Sequence, residues 1–205
     1  MIMDAKTCLK KLRLIASVSA ATVDDEGNPQ VRTIGVMHTD DNGLYFLTAR
    51  GKAFYHELIA KRHVQILGLS RFKEMIRLDG EALRIADDQQ KEWLDTLFAK
   101  NPYMGNVYPG ASRSILEVFS VTKGTIEYFN LGVHPIFRES YQFGDAKIRE
   151  KGYFITDSCV ECGICAQSCP QECIETGHPY RIEREHCLHC GQCHELCPNE
   201  AIRRL

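Results

Sequence analysis

Long apolar runs are missing from this sequence. The longest candidate, Leu14 to Val23, reaches about half of the ~20 residues a membrane-spanning helix needs, so no membrane segment is expected. Lys10, Lys11 and Arg13 precede it, a faint likeness to a secretory leader. The run leads instead into Asp24-Asp-Glu-Gly-Asn-Pro29 and a second extended stretch, which is the pattern of a hairpin. An excess of one charge is missing too. With 25 Lys and Arg against 27 Asp and Glu, no basic field is present and nucleic acid is not expected as a partner. Fifteen Gly and seven Pro are ordinary numbers and exclude a collagen-like or low-complexity chain. Cysteine is nearly absent from the first 158 residues, which contain Cys8 alone; the other nine of the ten cysteines follow Ser158.

What is present is therefore lopsided: a cysteine-poor body and a cysteine-dense tail, within a length that suits one to two domains. A chain read as cytoplasmic keeps its thiols reduced, so the tail pattern points to metal rather than to disulfides. The tail is an internal repeat. Cys159-x2-Cys162-x2-Cys165-x3-Cys169-Pro170 recurs as Cys187-x2-Cys190-x2-Cys193-x3-Cys197-Pro198. Three thiolates two residues apart on a loop can hold three corners of a cubane cluster, and the fourth opens a helical turn that leads away. Structural zinc also uses Cys-x2-Cys pairs, but four ligands suffice for zinc and the third cysteine and Cys-Pro are surplus to it. Gly163 and Gly191 allow close backbone approach, and Pro170 and Pro198 fix the chain after the fourth thiol.

Residues 151–205 resemble the bacterial-type two-cluster ferredoxins at all eight ligand positions. In that family the fourth cysteine of each motif ligates the other cluster. The resemblance implies two [4Fe–4S] clusters, one on Cys159, Cys162, Cys165 and Cys197, the other on Cys187, Cys190, Cys193 and Cys169. Cys173 aligns with Ala201 of the second copy and reads as a small packing residue, as does Cys8. His178, His186, His189 and His194 read as surface residues. The tail carries more acidic than basic residues, which suits docking on a basic redox partner.

The body reads as mainly β with helices. A helix is expected over 4–12, then strands at 13–23, 31–38 and 44–48, divided by Asp24–Pro29 and Asp40–Gly43. Phe54, Leu58 and Ile59 set a helical stripe over 52–62. Strands at 64–70 and 74–85 follow. A helix capped by Asp87 or Asp88 comes next, with Trp93, Leu94, Leu97 and Phe98 as its stripe. Residues 101–112 read as a loop, and a strand pair, 114–122 and 124–130, closes the body. The expected domains are 1–130, a linker or packed extension at 131–150, and 151–205. The fold class is a small barrel flanked by helices, followed by an α+β ferredoxin domain.

Pro29-x-Val-Arg32-x-Ile34, Leu44-Tyr-Phe-x-Thr48, Lys52 opening a helix, and Gly80-Glu-Ala82 resemble the flavin-binding split barrels of the pyridoxamine 5′-phosphate oxidase family. The resemblance covers residues 10–130. It implies FMN lined by Arg32, Thr33 and Ile34, contacted by Leu47 and Thr48, with its phosphate on Arg50 and Lys52. It also implies a homodimer with flavin at the subunit interface. Family members include haem and deazaflavin binders. Two departures argue against oxidation of pyridoxamine phosphate itself. Met75 stands where that enzyme has a flavin-contacting glutamine, and its Arg-x-His substrate motif has no counterpart in 114–150. The sum is a flavin–iron–sulfur oxidoreductase exchanging electrons with a redox partner protein or a small-molecule donor or acceptor. The alternative is a non-catalytic electron-transfer protein or redox sensor with the barrel as relay or dimerisation scaffold. Tyr103, Tyr108 and His134 are candidates for a substrate rim.

Overall fold

A computed structural model describes residues 3–205, so the first two residues of the expected 1–130 domain lie outside the described residues. The chain groups into two compact units. The first holds residues up to Ser70, Met75–Glu127 and Ser140–Lys147; the second holds Arg71–Glu74, Tyr128–Glu139 and Ile148–Leu205.

The first unit opens with helix α1 (Ala5–Ile15), where the Asp4 carboxylate accepts from the Thr7 N–H at 2.7 Å and satisfies a free donor of the first turn. The helix runs past the expected residue 12, burying Cys8, Leu9 and Leu12, and stops where Ala16 turns to φ 65°. Strand β1 (Ser17–Val23) therefore begins later than expected. It pairs with β2 (Pro29–Gly35) through the turn whose Asp24 carboxylate accepts from the Glu26 and Asn28 N–H groups. The short β3 (His38–Thr39) and β4 (Leu44–Ala49) follow, then α2 (Ala53–Lys61). Phe54 and Leu58 of the expected α2 stripe are buried, whereas Ile59 is half exposed. Next come β5 (His63–Leu69), β6 (Glu74–Arg84) and α3 (Asp87–Lys100).

Residues expected as a loop after α3 instead form a short helix, α4 (Met104–Val107), and a 3-10 turn (Gly110–Ile115). Met104 and Tyr108 explain this, since they pack into the apolar cluster of Met37, Tyr45, Leu97 and Val118. A second correction concerns the closing strand pair. Residues Leu116–Asn130 form one continuous strand, β7, and its hairpin partner is β8 (Phe137–Phe143). Gly124, which resembles a turn residue in the sequence, lies within the strand. A Cβ there would come within 2.4 Å of the Asp79 carbonyl oxygen, and one on Gly80 within 2.7 Å of the Lys123 oxygen. The two glycines let β6 and β7 approach closely, and no reversal is needed.

The strands form one curled eight-stranded sheet in the order β2-β1-β5-β6-β7-β4-β3, with β8 on β7. Alternate residues fill its interior, among them Val18, Ala20, Phe46, Val64, Ile66, Ile76, Leu78 and Phe119, all nearly solvent-free. This is the split-barrel class read from the sequence.

In the second unit, β9 (Tyr153–Ile155) pairs with the last strand, β12 (Ile202–Arg204), which ties the two ends of the tail together. Between them lie α5 (Ile164–Ser168), the β10–β11 hairpin (Ile174–Glu175 with Arg181–Ile182) and α6 (Gln192–Glu195). Ile174, Ile182 and Ile202 form a core shared with Cys165, Cys173 and Cys187. No helix of the described residues is long and apolar enough to cross a membrane.

Candidate functional site

The two copies of the cysteine repeat fold onto one backbone pattern. Left-handed residues recur at the repeat offset: Glu161 and His189 (φ 59° and 58°), Gly163 and Gly191 (79° and 87°), Glu172 and Glu200 (52° and 49°). Gly163 and Gly191 precede α5 and α6. At Gly191 a Cβ would meet the Tyr153 hydroxyl at 2.8 Å, but at Gly163 the nearest atom is 3.6 Å away. Space demands glycine at one copy only; backbone conformation demands it at both. Alternating left- and right-handed residues turn successive N–H groups toward a concavity, which suits an anionic group.

Two cavities result. Cys159, Cys162, Cys165 and Cys197 line one; Cys187, Cys190, Cys193 and Cys169 line the other. Each takes three thiols from one copy and the fourth from the other, the crossed sets expected from the sequence. The two cavities are alike in size, with room for about 20 Å³ in each. Among the described residues no three His, Cys, Asp or Glu converge as ligands of a single ion. The thiols ring a space instead, and four soft donors around an apolar cavity fit a cubane cluster with one thiol per iron.

Burial raises the Cys165 thiol and pushes Cys193 up to about 11. Cys187 goes the other way, to about 6, because a hydrogen bond from Cys173, then the His189 N–H and the Arg138 charge, outweigh its burial. Cys173 itself is a residue whose place the sequence understated. It lines the second cavity with its Sγ 3.5 Å from that of Cys169. The histidines hold the scaffold: His186 Nδ1 lies 2.8 Å from the Ile136 oxygen, His194 Nδ1 lies 2.7 Å from the Ile202 oxygen, and His178 pairs with Glu161.

In the barrel, Arg32 and Ile34 lie on one face of β2 and the exposed Thr33 on the other. Arg32 is already engaged. Its guanidinium lies 2.8 Å from the buried Glu57 carboxylate, also meets Thr22, and sits 4.6 Å over the Phe54 ring. Arg50 is likewise paired, 2.7 Å from the buried Glu117, which Arg84 grips at 2.7 Å from its other oxygen. Sequence reasoning missed Glu57, Glu117 and Arg84; only their partners' positions across the sheet give them meaning. Leu47 is half-buried beside Thr48 on β4. Thr48 is 3% exposed and its hydroxyl has no hydrogen-bond partner. Lys52 begins α2 from an extended conformation, exposed and with no side-chain cap; the Tyr55 and His56 N–H groups already donate to its carbonyl oxygen, which leaves those of Ala53 and Phe54 for an acceptor. An orphaned buried hydroxyl and a cation at a helix start fit a phosphate-bearing cofactor. Met75 opens β6 opposite Leu69, half-buried. Tyr103 is exposed with its hydroxyl 3.6 Å from Met37 Sδ, Tyr108 packs in the apolar cluster, and His134 belongs to the second unit.

Comparison with known proteins gives these sites a family. The model described as pyridoxamine 5′-phosphate oxidase matches residues 6–131. The chain belongs to the pyridoxamine 5′-phosphate oxidase family. A second model, the 4Fe-4S binding domain, matches residues 153–175 and 180–203. A ferredoxin of Butyribacterium methylotrophicum is 52% identical over 31 residues, spanning 15% of this chain and 56% of that ferredoxin. Among solved structures, a NimC/NimA family protein of Clostridium acetobutylicum shares the fold with TM-score 0.58 and 22% identity, covering 67% of this chain and 91% of that one. A pyridoxamine 5′-phosphate oxidase-related, FMN binding protein of Nostoc punctiforme gives 0.53 and 19%, covering 68% and 88%. An oxidase-family barrel is thus joined in one chain to 4Fe-4S motifs, the make-up of a redox, electron-transfer protein.

Proposed function

We propose that this protein is a flavin–iron–sulfur oxidoreductase that couples one-electron transfer through two [4Fe–4S] clusters to two-electron chemistry at FMN. The observation that carries this reading is the pair of crossed four-thiol cavities in a chain whose other part belongs to a flavin-binding family. The eight cysteines of the two cavities hold the clusters. Lys52 and the N–H groups of Ala53 and Phe54 hold the FMN phosphate, and the Thr48 hydroxyl finds its partner on the same cofactor. Arg32, Thr33, Ile34 and Leu47 line it. Arg50, with 44% of its side chain exposed, keeps a face for the phosphate while its other face stays on Glu117. When bound, the clusters supply single-electron steps and the flavin supplies the paired step. Residues 1–130 form the flavin domain, 131–150 join it to the relay, and 151–205 are the relay. The working form is a homodimer with the flavin at the subunit interface, and the partner is a redox protein or a small-molecule donor or acceptor.

Anaerobic purification with iron and sulfide quantitation and mass identification of released cofactor tests this. The expected result is about eight irons per chain, four for each cluster, together with FMN. Clusters without any flavin would overturn the oxidoreductase reading.

One observation favours the second reading, a non-catalytic electron-transfer protein or sensor with the barrel as scaffold. Arg32 and Arg50 are both neutralised by buried carboxylates before any phosphate arrives. The double variant Arg32→Ala, Lys52→Ala separates the two. Loss of the cofactor supports the flavin site, and unchanged cofactor content supports the scaffold.

A further inference from the structure

The two cavities share a thiol set but not their surroundings. Each receives one backbone N–H on a ligand sulfur, at 3.3 Å from Ala201 to Cys197 and 3.4 Å from His189 to Cys187, so these contacts balance. Two others do not. Beside the second cavity the buried Cys173 lines the wall with its Sγ 3.5 Å from Cys169 Sγ, in contact with one of the four ligands. The matching position of the first cavity is Ala201, whose side chain has no donor to add to its backbone N–H. In addition, Arg138 Nη1 donates to the Cys187 carbonyl oxygen at 3.1 Å. The guanidinium is pinned there, 4.9 Å over the Phe129 ring, and its segment is held by the Ile136 N–H on Gln171 Oε1 at 2.8 Å. Neither cavity is lined by a Lys or Arg, but Glu161 lines the first and no carboxylate lines the second.

Hydrogen bonds to the sulfurs and local net charge set the potential of an iron–sulfur cluster. A reduced cluster carries one more negative charge, so a sulfur-directed donor and a fixed cation both favour the reduced form. We infer that the cluster of Cys169, Cys187, Cys190 and Cys193 is the higher-potential member of the pair, set so by Cys173 and Arg138. With both clusters bound, the Cys169, Cys187, Cys190 and Cys193 set would hold the first electron and the Cys159, Cys162, Cys165 and Cys197 set the second. This rests on the two-cluster reading above. It adds an order to two sites that the repeat makes look equivalent.

The test is a dithionite redox titration followed by electron paramagnetic resonance on the full chain, with iron counted in every sample. In Cys173→Ala the upper of the two midpoint potentials falls and the lower stays. The expected shift is about tenfold in the equilibrium, or about 59 mV for a one-electron couple. Arg138→Gln lowers the same potential, and Cys173→Ser, which keeps a donor, stays near the wild-type value. Movement of the lower potential, or no movement in either Cys173→Ala or Arg138→Gln at full iron content, overturns the assignment and leaves the cluster reading intact. Loss of about half the iron in Cys173→Ala also overturns it, because Cys173 would then hold the cluster together rather than set its potential. A wild-type chain without cluster signals overturns the cluster reading and this inference together.

Discussion

Glu57 and Glu117 are two carboxylates that no motif signals, yet they organise the barrel residues that the motifs do signal. Each is almost sealed from water and each holds an arginine that the family resemblance assigns to flavin. Removing one partner of a buried pair strands the other charge. Arg32→Ala is therefore expected to cost about 3 kcal/mol, read by urea denaturation of the cofactor-free chain. Thr48→Val should behave oppositely. It deletes an unpaired hydroxyl at constant shape, so the cofactor-free chain stays within about 1 kcal/mol of wild type or gains stability, while flavin retention falls. Equal flavin retention in Thr48→Val would remove that hydroxyl from the site.

His38 gives a pH dependence. Burial first, then the Lys100 ammonium 3.0 Å away, lowers its pKa below the ordinary 6.5. A histidine with a depressed folded pKa is protonated more readily when unfolded. Its contribution is present above pH 6.5 and is lost as the pH falls below that value toward the folded pKa. The denaturation midpoint should accordingly drop on acidification through this window, and His38→Gln should flatten that part of the profile.

Among the elements, helices and strands with a clean period were legible, and those shaped by tertiary contact were not. The β1–β2 hairpin was readable because Asp24 and Gly27 carry its turn chemistry locally. The α2 stripe was readable through Phe54 and Leu58. By contrast, Gly124 looks like a chain reversal, and only the backbone of Asp79 across the sheet reveals why glycine stands there. The short α4 was hidden for a related reason, since Met104 and Tyr108 are drawn inward by residues remote in sequence. In the tail the repeat was legible because its residues recur at adjacent positions, and the ferredoxin resemblance grouped the thiols as they line the two cavities. The ninth thiol, read as a small packing residue, is buried in the tail core, and only the fold shows that its Sγ comes within 3.5 Å of Cys169 Sγ. Gly124→Ala tests the close approach of β6 and β7. With a carbonyl oxygen 2.4 Å from the new Cβ, the backbone must shift, at a cost of about 1–3 kcal/mol. A thermal midpoint equal to wild type would contradict the tight crossing.

For the whole molecule, what matters is that a barrel of the oxidase family and a doubled 4Fe-4S motif share one chain. Single-electron carriers and a pair-handling cofactor complement one another chemically, whereas a ferredoxin alone has no use for a barrel whose buried Thr48 hydroxyl has no partner. The most direct measurement is an anaerobic reductive titration of the purified full-length protein, counting electrons taken up per chain. Uptake of about four, one for each cluster and two for the flavin, is the predicted result. Uptake of about two, with the visible change confined to the iron–sulfur absorbance, would contradict it.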